Sequence, residues 1–394
     1  MKALSPLLAL LIASAVFSLP SAHAGSPWPA QCQEGSLTVN DPRYPINQLI
    51  LTCVPKNWSG KLVVYAHGYV PVQEPLSLPL DELTLADGLT LPGILLSNGF
   101  AFATSSYHKN GYAIEQAGND LLDLVEHFEK DIASGQVNEI YIIGASEGGL
   151  VATMLLESHP EIFQAGLSLC GPVSGMPDQI KYLGDFRVIF DYFFPGVLPF
   201  GMNVPLDAYR DWEDIYVPNI TEAIMSDSEA TRQLFHVTHA ARDPLQLKTS
   251  AAPSALDVLF FSVWEANDIL DVAGGQPYGN QSTRYRGSRK DAALNAGVER
   301  IQSDSGASAY IQQFYEPTGI LKHPLVTLHN TWDDLVPFSH EVTYRKRVIS
   351  AGYRQFLTVL VAPRYGHCEF TTRELSKAFN LMVRQRNEDR TRIP

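Results

Sequence analysis

Six short apolar runs recur along the chain, at residues 61–66, 100–104, 140–143, 166–169, 325–328 and 356–361. Their hydrophobicity is continuous rather than alternating, which predicts strands buried on both faces, as in a parallel sheet. Helical spacing appears between them. Over residues 113–132, Leu121, Leu122, Val125 and Phe128 recur three and four apart, and residues 146–158 form a second such stretch that stops near His159-Pro160. Further helices are predicted at 342–349 and 372–384. The alternation predicts an α/β fold, a mostly parallel, doubly wound sheet with helices on both faces.

One interval breaks the rhythm. Residues 171–323 put roughly 150 positions between consecutive strands, far more than an ordinary connection. The interval is rich in aromatics, among them Phe186, Phe190, Tyr192, Phe193, Phe194, Phe200, Phe260, Phe261 and Trp264. An insertion of this length needs a hydrophobic core of its own, and its inner face is expected to serve as a lid over the end of the sheet.

The first residues of the sequence, its charge and its cysteines narrow the setting. Lys2, the apolar stretch 7–17 and Ala22-His23-Ala24 have the order of a secretory signal peptide, so residues 1–24 are expected to be removed on export. No later stretch is long and apolar enough for a membrane span, so no stable membrane anchor is expected. A formal charge of −13 argues against nucleic acid or an anionic membrane as partner. Four cysteines are too few for a disulfide framework, and without a C-x-x-C pair they do not read as metal ligands. Cys32 and Cys53 are close enough in sequence to close a short loop, worth roughly 3 kcal/mol.

The chemistry gathers at Gly144-Ala145-Ser146-Glu147-Gly148-Gly149, which follows the apolar run 140–143 and opens the helix 146–158. A serine on so sharp a strand-to-helix turn takes strained backbone angles, and the flanking glycines leave room for the crossing backbone. The hydroxyl then stands beside the first N–H groups of a helix, which stabilise a developing oxyanion. A serine also needs an oriented base. His367, in Tyr365-Gly366-His367-Cys368, leaves the last apolar run on a loop able to reach the same sheet edge. The loop after the preceding run, Trp332-Asp333-Asp334-Leu335-Val336-Pro337, supplies the carboxylate: Asp333 is preferred and Asp334 is the alternative. Two amides complete the set. Glu147 gives the first, and Tyr69, with Gly68 as the neighbouring choice, gives the second from His67-Gly68-Tyr69. His67 is expected to brace that loop, and His329 to hydrogen-bond locally.

With these motifs the chain resembles the α/β-hydrolase superfamily, in its secreted serine esterase and lipase-like branch. The likeness rests on His67-Gly68, Gly144-x-Ser146-x-Gly148-Gly149, Asp333-x-x-Val336-Pro337 and Gly366-His367, and covers most of residues 60–170 and 324–385. It implies a hydrolase core formed by 25–170 and 324–394, a lid inserted at 171–323 between the strand after the elbow helix and the acid-bearing strand, and a Ser146-Asp333-His367 triad working through an acyl-enzyme without a cofactor. His367-Cys368 is similar to the tannase and feruloyl-esterase group, where a cysteine after the histidine pairs with one before the serine. Ala145 occupies that second position here, a departure from the subfamily and its phenolic esters. Two alternatives follow for Cys170: a bridge to Cys368 that pins the His367 loop, or a buried free thiol. The expected substrate is a small ester. The rival readings are a peptidase of the same fold, whose α-amine anchors would be sought among Glu222, Asp227, Glu229 and Asp243, an acyltransferase, and a non-catalytic binding protein. The oligomeric state is left open.

Overall fold

In a computed structural model of the chain, the described residues are 28–85 and 88–390, and the expected signal peptide lies outside them. The strands are β1 (Cys32–Leu37), β2 (Gln48–Cys53), β3 (Lys61–Ala66), β4 (Phe100–Ser105), β5 (Glu139–Ala145), β6 (Ala165–Leu169), β7 (Leu325–Trp332) and β8 (Leu357–Tyr365). They form one eight-stranded sheet in the order β1-β2-β4-β3-β5-β6-β7-β8. β1 and β2 pair antiparallel with their neighbours, and all other pairs are parallel.

The six apolar runs are the six parallel strands. Successive side chains point to opposite faces. Leu62, Val64, Ile140 and Ile142 therefore join one buried cluster, while Val63, Tyr65, Tyr141 and Ile143 join another. Helix α1 (Leu91–Ser97) covers the second face, and α2 (Ile114–His127) and α3 (Glu147–Ser158) cover the first. The predicted helix at 113–132 ends in a wider π turn at Phe128–Ile132.

β1, β2 and α1 were not foreseen. β1 reads Cys-Gln-Glu-Gly-Ser-Leu and leaves its four central residues exposed, so it carries no apolar run. It is held by register instead: Cys32 faces Cys53 across the ladder, and a disulfide joins them.

Between β6 and β7 the chain is helical: α4 (Met176–Phe193), α5 (Leu206–Arg210), α6 (Val217–Ser226), α7 (Ser228–Thr238), α8 (Ala251–Trp264), α9 (Ala266–Ala273), α10 (Asp291–Gly297) and α11 (Ser305–Phe314). Its aromatics pack edge to face, Phe186 on Phe235 at 6.2 Å and Trp212 on Phe260 at 5.9 Å. They do not form the separate core that the length of the interval suggested. Phe186, Phe190 and Leu259 belong to the same buried cluster as Val64 and Leu150, so the helices extend the core of one sheet face. Helix α12 (Ser339–Ala351) follows β7, and α13 (Thr372–Arg390) returns across the second face, burying Ala378 and Met382. Among the described residues, no helix is long and apolar enough to cross a membrane.

Candidate active site

Ser146 stands between β5 and α3 with φ 54° and ψ −125°, a conformation that L residues rarely adopt. Its N–H donates to the Leu169 carbonyl at 2.9 Å, tying the turn to β6. The glycines are there because backbone crosses backbone. A Cβ on Gly144 would lie 1.9 Å from the Gly148 carbonyl oxygen, and one on Gly148 would lie 2.1 Å from that of Ala66. Neither neighbour is a flexible side chain that could step aside. Gly148→Ala is therefore expected to destabilise the fold by about 3 kcal/mol or more, read from the urea unfolding midpoint.

The loop after β8 brings His367 to this serine. Gly366, at φ +102°, reverses the chain just before it. His367 Nε2 lies 2.9 Å from Ser146 Oγ, and its Nδ1 lies 2.8 Å from Asp333 Oδ2. Asp333 follows β7 and is fully buried. Its Oδ1 accepts the Leu335 and Val336 N–H groups at 3.0 and 2.8 Å, which leaves Oδ2 for the imidazole. Asp334, the alternative acid, turns away: its Oδ2 accepts the Tyr365 hydroxyl at 2.7 Å.

Burial alone would raise the Asp333 carboxyl, but the His367 and His329 imidazoles overcome it and hold the group down at about 2. His329 hydrogen-bonds locally, to the Val336 carbonyl at 2.9 Å, and it also contacts Asp333 Oδ2 at 3.5 Å and Glu341 Oε1 at 3.4 Å. Burial would lower its pKa, yet the two carboxylates carry it up to about 10. This second contact to the acid went unforeseen, although His329 and Asp333 are four residues apart.

The signs of these shifts give a pH window. A histidine raised to about 10 contributes stability fully below its unfolded value near 6.5 and loses it as pH climbs toward 10. An aspartate lowered to about 2 contributes fully above its unfolded value near 3.9 and loses it as pH falls toward 2. Urea unfolding followed against pH is expected to show the alkaline loss in the wild-type protein, and a smaller loss in His329→Leu.

The loop after β3 approaches the serine closely: a Cβ on Gly68 would lie 3.2 Å from Ser146 Cβ. The Gly68 amide is already engaged, donating to both oxygens of Glu82 at 3.0 and 3.1 Å. The Tyr69 amide has no acceptor among the described residues. Glu147 is the first residue of α3, where a helix leaves its N–H groups without partners of its own. His67 braces the loop, with Nδ1 2.7 Å from the Gly68 carbonyl and its ring stacked 3.8 Å from Tyr107. Cys170 and Cys368 are joined by a disulfide, and Cys368 Sγ lies 3.5 Å from His367 Nε2. Glu82 carries no sequence signal: it meets Gly68 only through the fold. Of the acids named as amine anchors, Glu229 is paired with Arg232 and Arg289, and Asp227 caps α7.

The parallel sheet, the strained serine at the β5–α3 turn and the histidine delivered after the last strand give the chain the architecture of an α/β-hydrolase fold. Residues 98–179, from β4 through α3 into α4, match the prolyl oligopeptidase family. The chain is similar to proteins described as esterases and as peptidases. It is 31% identical over 84 residues to the lysosomal Pro-X carboxypeptidase of Mus musculus, a match covering 21% of this chain and 17% of that protein. Similar solved structures include the Pyrococcus furiosus esterase Pf2001, at 14% identity over 93% of this chain and 96% of that one, with a TM-score of 0.47. Est1E from Butyrivibrio proteoclasticus is 13% identical, with coverages of 89% and 98% and a TM-score of 0.40. The Pyrococcus horikoshii acylaminoacyl peptidase is 11% identical, with a TM-score of 0.42, 85% of this chain covering 37% of that one. The chain thus spans well under half the length of the peptidases it matches.

Proposed function

We propose that the protein is an exported serine hydrolase that cleaves carboxylic esters through an acyl-enzyme. The observation that carries this reading is the continuous relay from Ser146 Oγ through His367 to Asp333, at 2.9 and 2.8 Å. In the proposed reaction, Ser146 Oγ attacks the ester carbonyl as His367 Nε2 takes its proton. Asp333 holds the Nδ1–H tautomer and stabilises the imidazolium. The amides of Glu147 and Tyr69 receive the tetrahedral oxyanion. His367 then protonates the departing alcohol, and water, activated by the same imidazole, releases the acid. The chain's own residues supply every group in this scheme, so it calls on no cofactor. The helices of residues 171–323 act in it as the lid that shapes the substrate arm. Export accords with two disulfides, which persist outside a reducing cytosol.

A second reading, peptide-bond cleavage by the same relay, is favoured by the prolyl oligopeptidase match over residues 98–179. Wild-type protein offered medium-chain nitrophenyl esters beside aminoacyl anilides separates the two. Ester turnover well above anilide turnover, with a fluorophosphonate probe bound at Ser146, is the expected result. The reverse preference would move the assignment to the peptidases.

A further inference from the structure

One oxygen of the acid, Asp333 Oδ2, is shared between two imidazoles. His367 Nδ1 lies 2.8 Å from it, and His329 Nε2 lies 3.5 Å from it on another side. β7 carries His329 four residues ahead of the acid and buries it fully. The ring nitrogens of His329 meet only acceptors. Nε2–H donates to the Val336 carbonyl at 2.9 Å, and a carbonyl has no proton to return. Nδ1 lies 3.4 Å from Glu341 Oε1 of α12, and neither atom has another hydrogen-bond partner among the described residues. Glu341 is buried as well, and its Oε2 accepts the Thr327 hydroxyl at 2.7 Å. A ring protonated at both nitrogens satisfies every one of these acceptors.

The charges around this ring lead the same way. The loop after β7 presents Asp333, α12 presents Glu341 and His340, and the loop after β8 presents His367 across Asp333. His340 adds no second cation: burial, with the His329 charge behind it, holds its pKa down at about 3. Its nitrogens meet Ser174 Oγ at 2.6 Å and Gln179 Oε1 at 3.1 Å instead. Among the described residues, no lysine or arginine forms an ion pair with Asp333 or Glu341. For His329 burial also opposes the charge, but the two carboxylates outweigh it and carry the group up to about 10.

We propose that His329 is a positioning residue for the relay: a standing imidazolium, balanced on its far side by Glu341, that holds Asp333 and limits how strongly Asp333 keeps a proton on His367. The relay then continues from Asp333 through His329 to Glu341. The inference rests on the serine-hydrolase reading for the reaction it tunes, but not for the charge arrangement. A cation on one side of Oδ2 repels a second cation forming on the other. At an effective dielectric near 20, like charges about 6 Å apart displace a titration by about one to two pH units. His367 therefore stays a free base, able to accept from Ser146, at lower pH than it would beside Asp333 alone.

Nitrogen NMR of histidine-labelled wild-type protein reads this charge without any reaction. His329 is expected to carry protons on both nitrogens at neutral pH; a neutral ring, its proton resting on Glu341, would overturn the proposal. In His329→Gln, which keeps a donor and cannot be charged, the His367 resonance should titrate about one pH unit higher than in wild type. The acid limb of kcat/KM for a nitrophenyl ester should move up with it. A merely structural role would lower the whole profile and leave its midpoint in place, and that outcome, or a midpoint displaced to lower pH, also overturns the proposal. Glu341→Gln is the second variant, since Glu341 forms no hydrogen bond or ion pair with Asp333 or His367 among the described residues. It should lower the titration midpoint of His329 by about one pH unit or more, and an unmoved His329 counts against the proposal. Thermal unfolding checks that each variant is folded; should His329→Gln fail to fold, the wild-type spectrum and Glu341→Gln decide. If no ester turns over while the resonances behave as expected, the hydrolase reading fails and the charge arrangement stands.

Discussion

Ser146→Ala is expected to lower ester hydrolysis by on the order of a millionfold in kcat, with KM changed little. The size of the loss follows from how the three side chains act. With the hydroxyl gone, His367 has no nucleophile to activate, and Asp333 has no imidazolium to stabilise. In the proposed scheme, the rate left over is what the Glu147 and Tyr69 amides would provide by holding an oxyanion that water must generate. The fold should survive, since among the described residues the Ser146 hydroxyl hydrogen-bonds only with His367. The test compares wild-type and variant turnover of one nitrophenyl ester, with circular dichroism as the control. Hydrolysis within tenfold of wild type would remove Ser146 from the chemistry.

Asp333→Asn is the second large effect, at about ten thousandfold in kcat. The direction comes from the anchoring of the other oxygen. Oδ1 accepts two backbone N–H groups, from Leu335 and Val336, so the asparagine carbonyl takes that place and its NH2 faces His367. A donor against Nδ1 forces the proton onto Nε2, and an imidazole protonated there cannot accept from Ser146. The asparagine also deprives His329 of a carboxylate that helps to raise its pKa. The deficit should shrink at alkaline pH, where hydroxide competes with the crippled base. A variant with normal kcat would point to Asp334 or to another acid.

The parts of this site differ in how plainly the sequence announced them. The six parallel strands were legible because burial on both faces leaves an uninterrupted apolar run, as in Leu62-Val63-Val64-Tyr65. β1 was not, because a sheet edge open to solvent tolerates Gln33, Glu34 and Ser36. Ser146 and His367 were marked by glycines that the backbone requires locally. Asp333 was preferred to Asp334 through its place four residues before Pro337, while the orientation that turns one to His367 and the other to Tyr365 comes only from the fold. The same limit applies to the second oxyanion donor. Glu82 captures the Gly68 amide across 14 residues, a contact that no spacing predicts. The helices of 171–323 lay beyond reach as well, since their aromatics pack into a core already begun by the sheet. The Cys170–Cys368 pairing depended on the fold, because 198 residues separate the two.

That last bond has a topological consequence. It ties the end of β6 to the loop after β8, so all the helices from α4 to α11 lie inside one covalent ring. A protease that nicks any exposed turn among them leaves two fragments still joined through sulfur, one bearing the nucleophile and the other its base and acid. Such a cut molecule would run as a single species until a reductant is added, and could keep its relay assembled in the meantime.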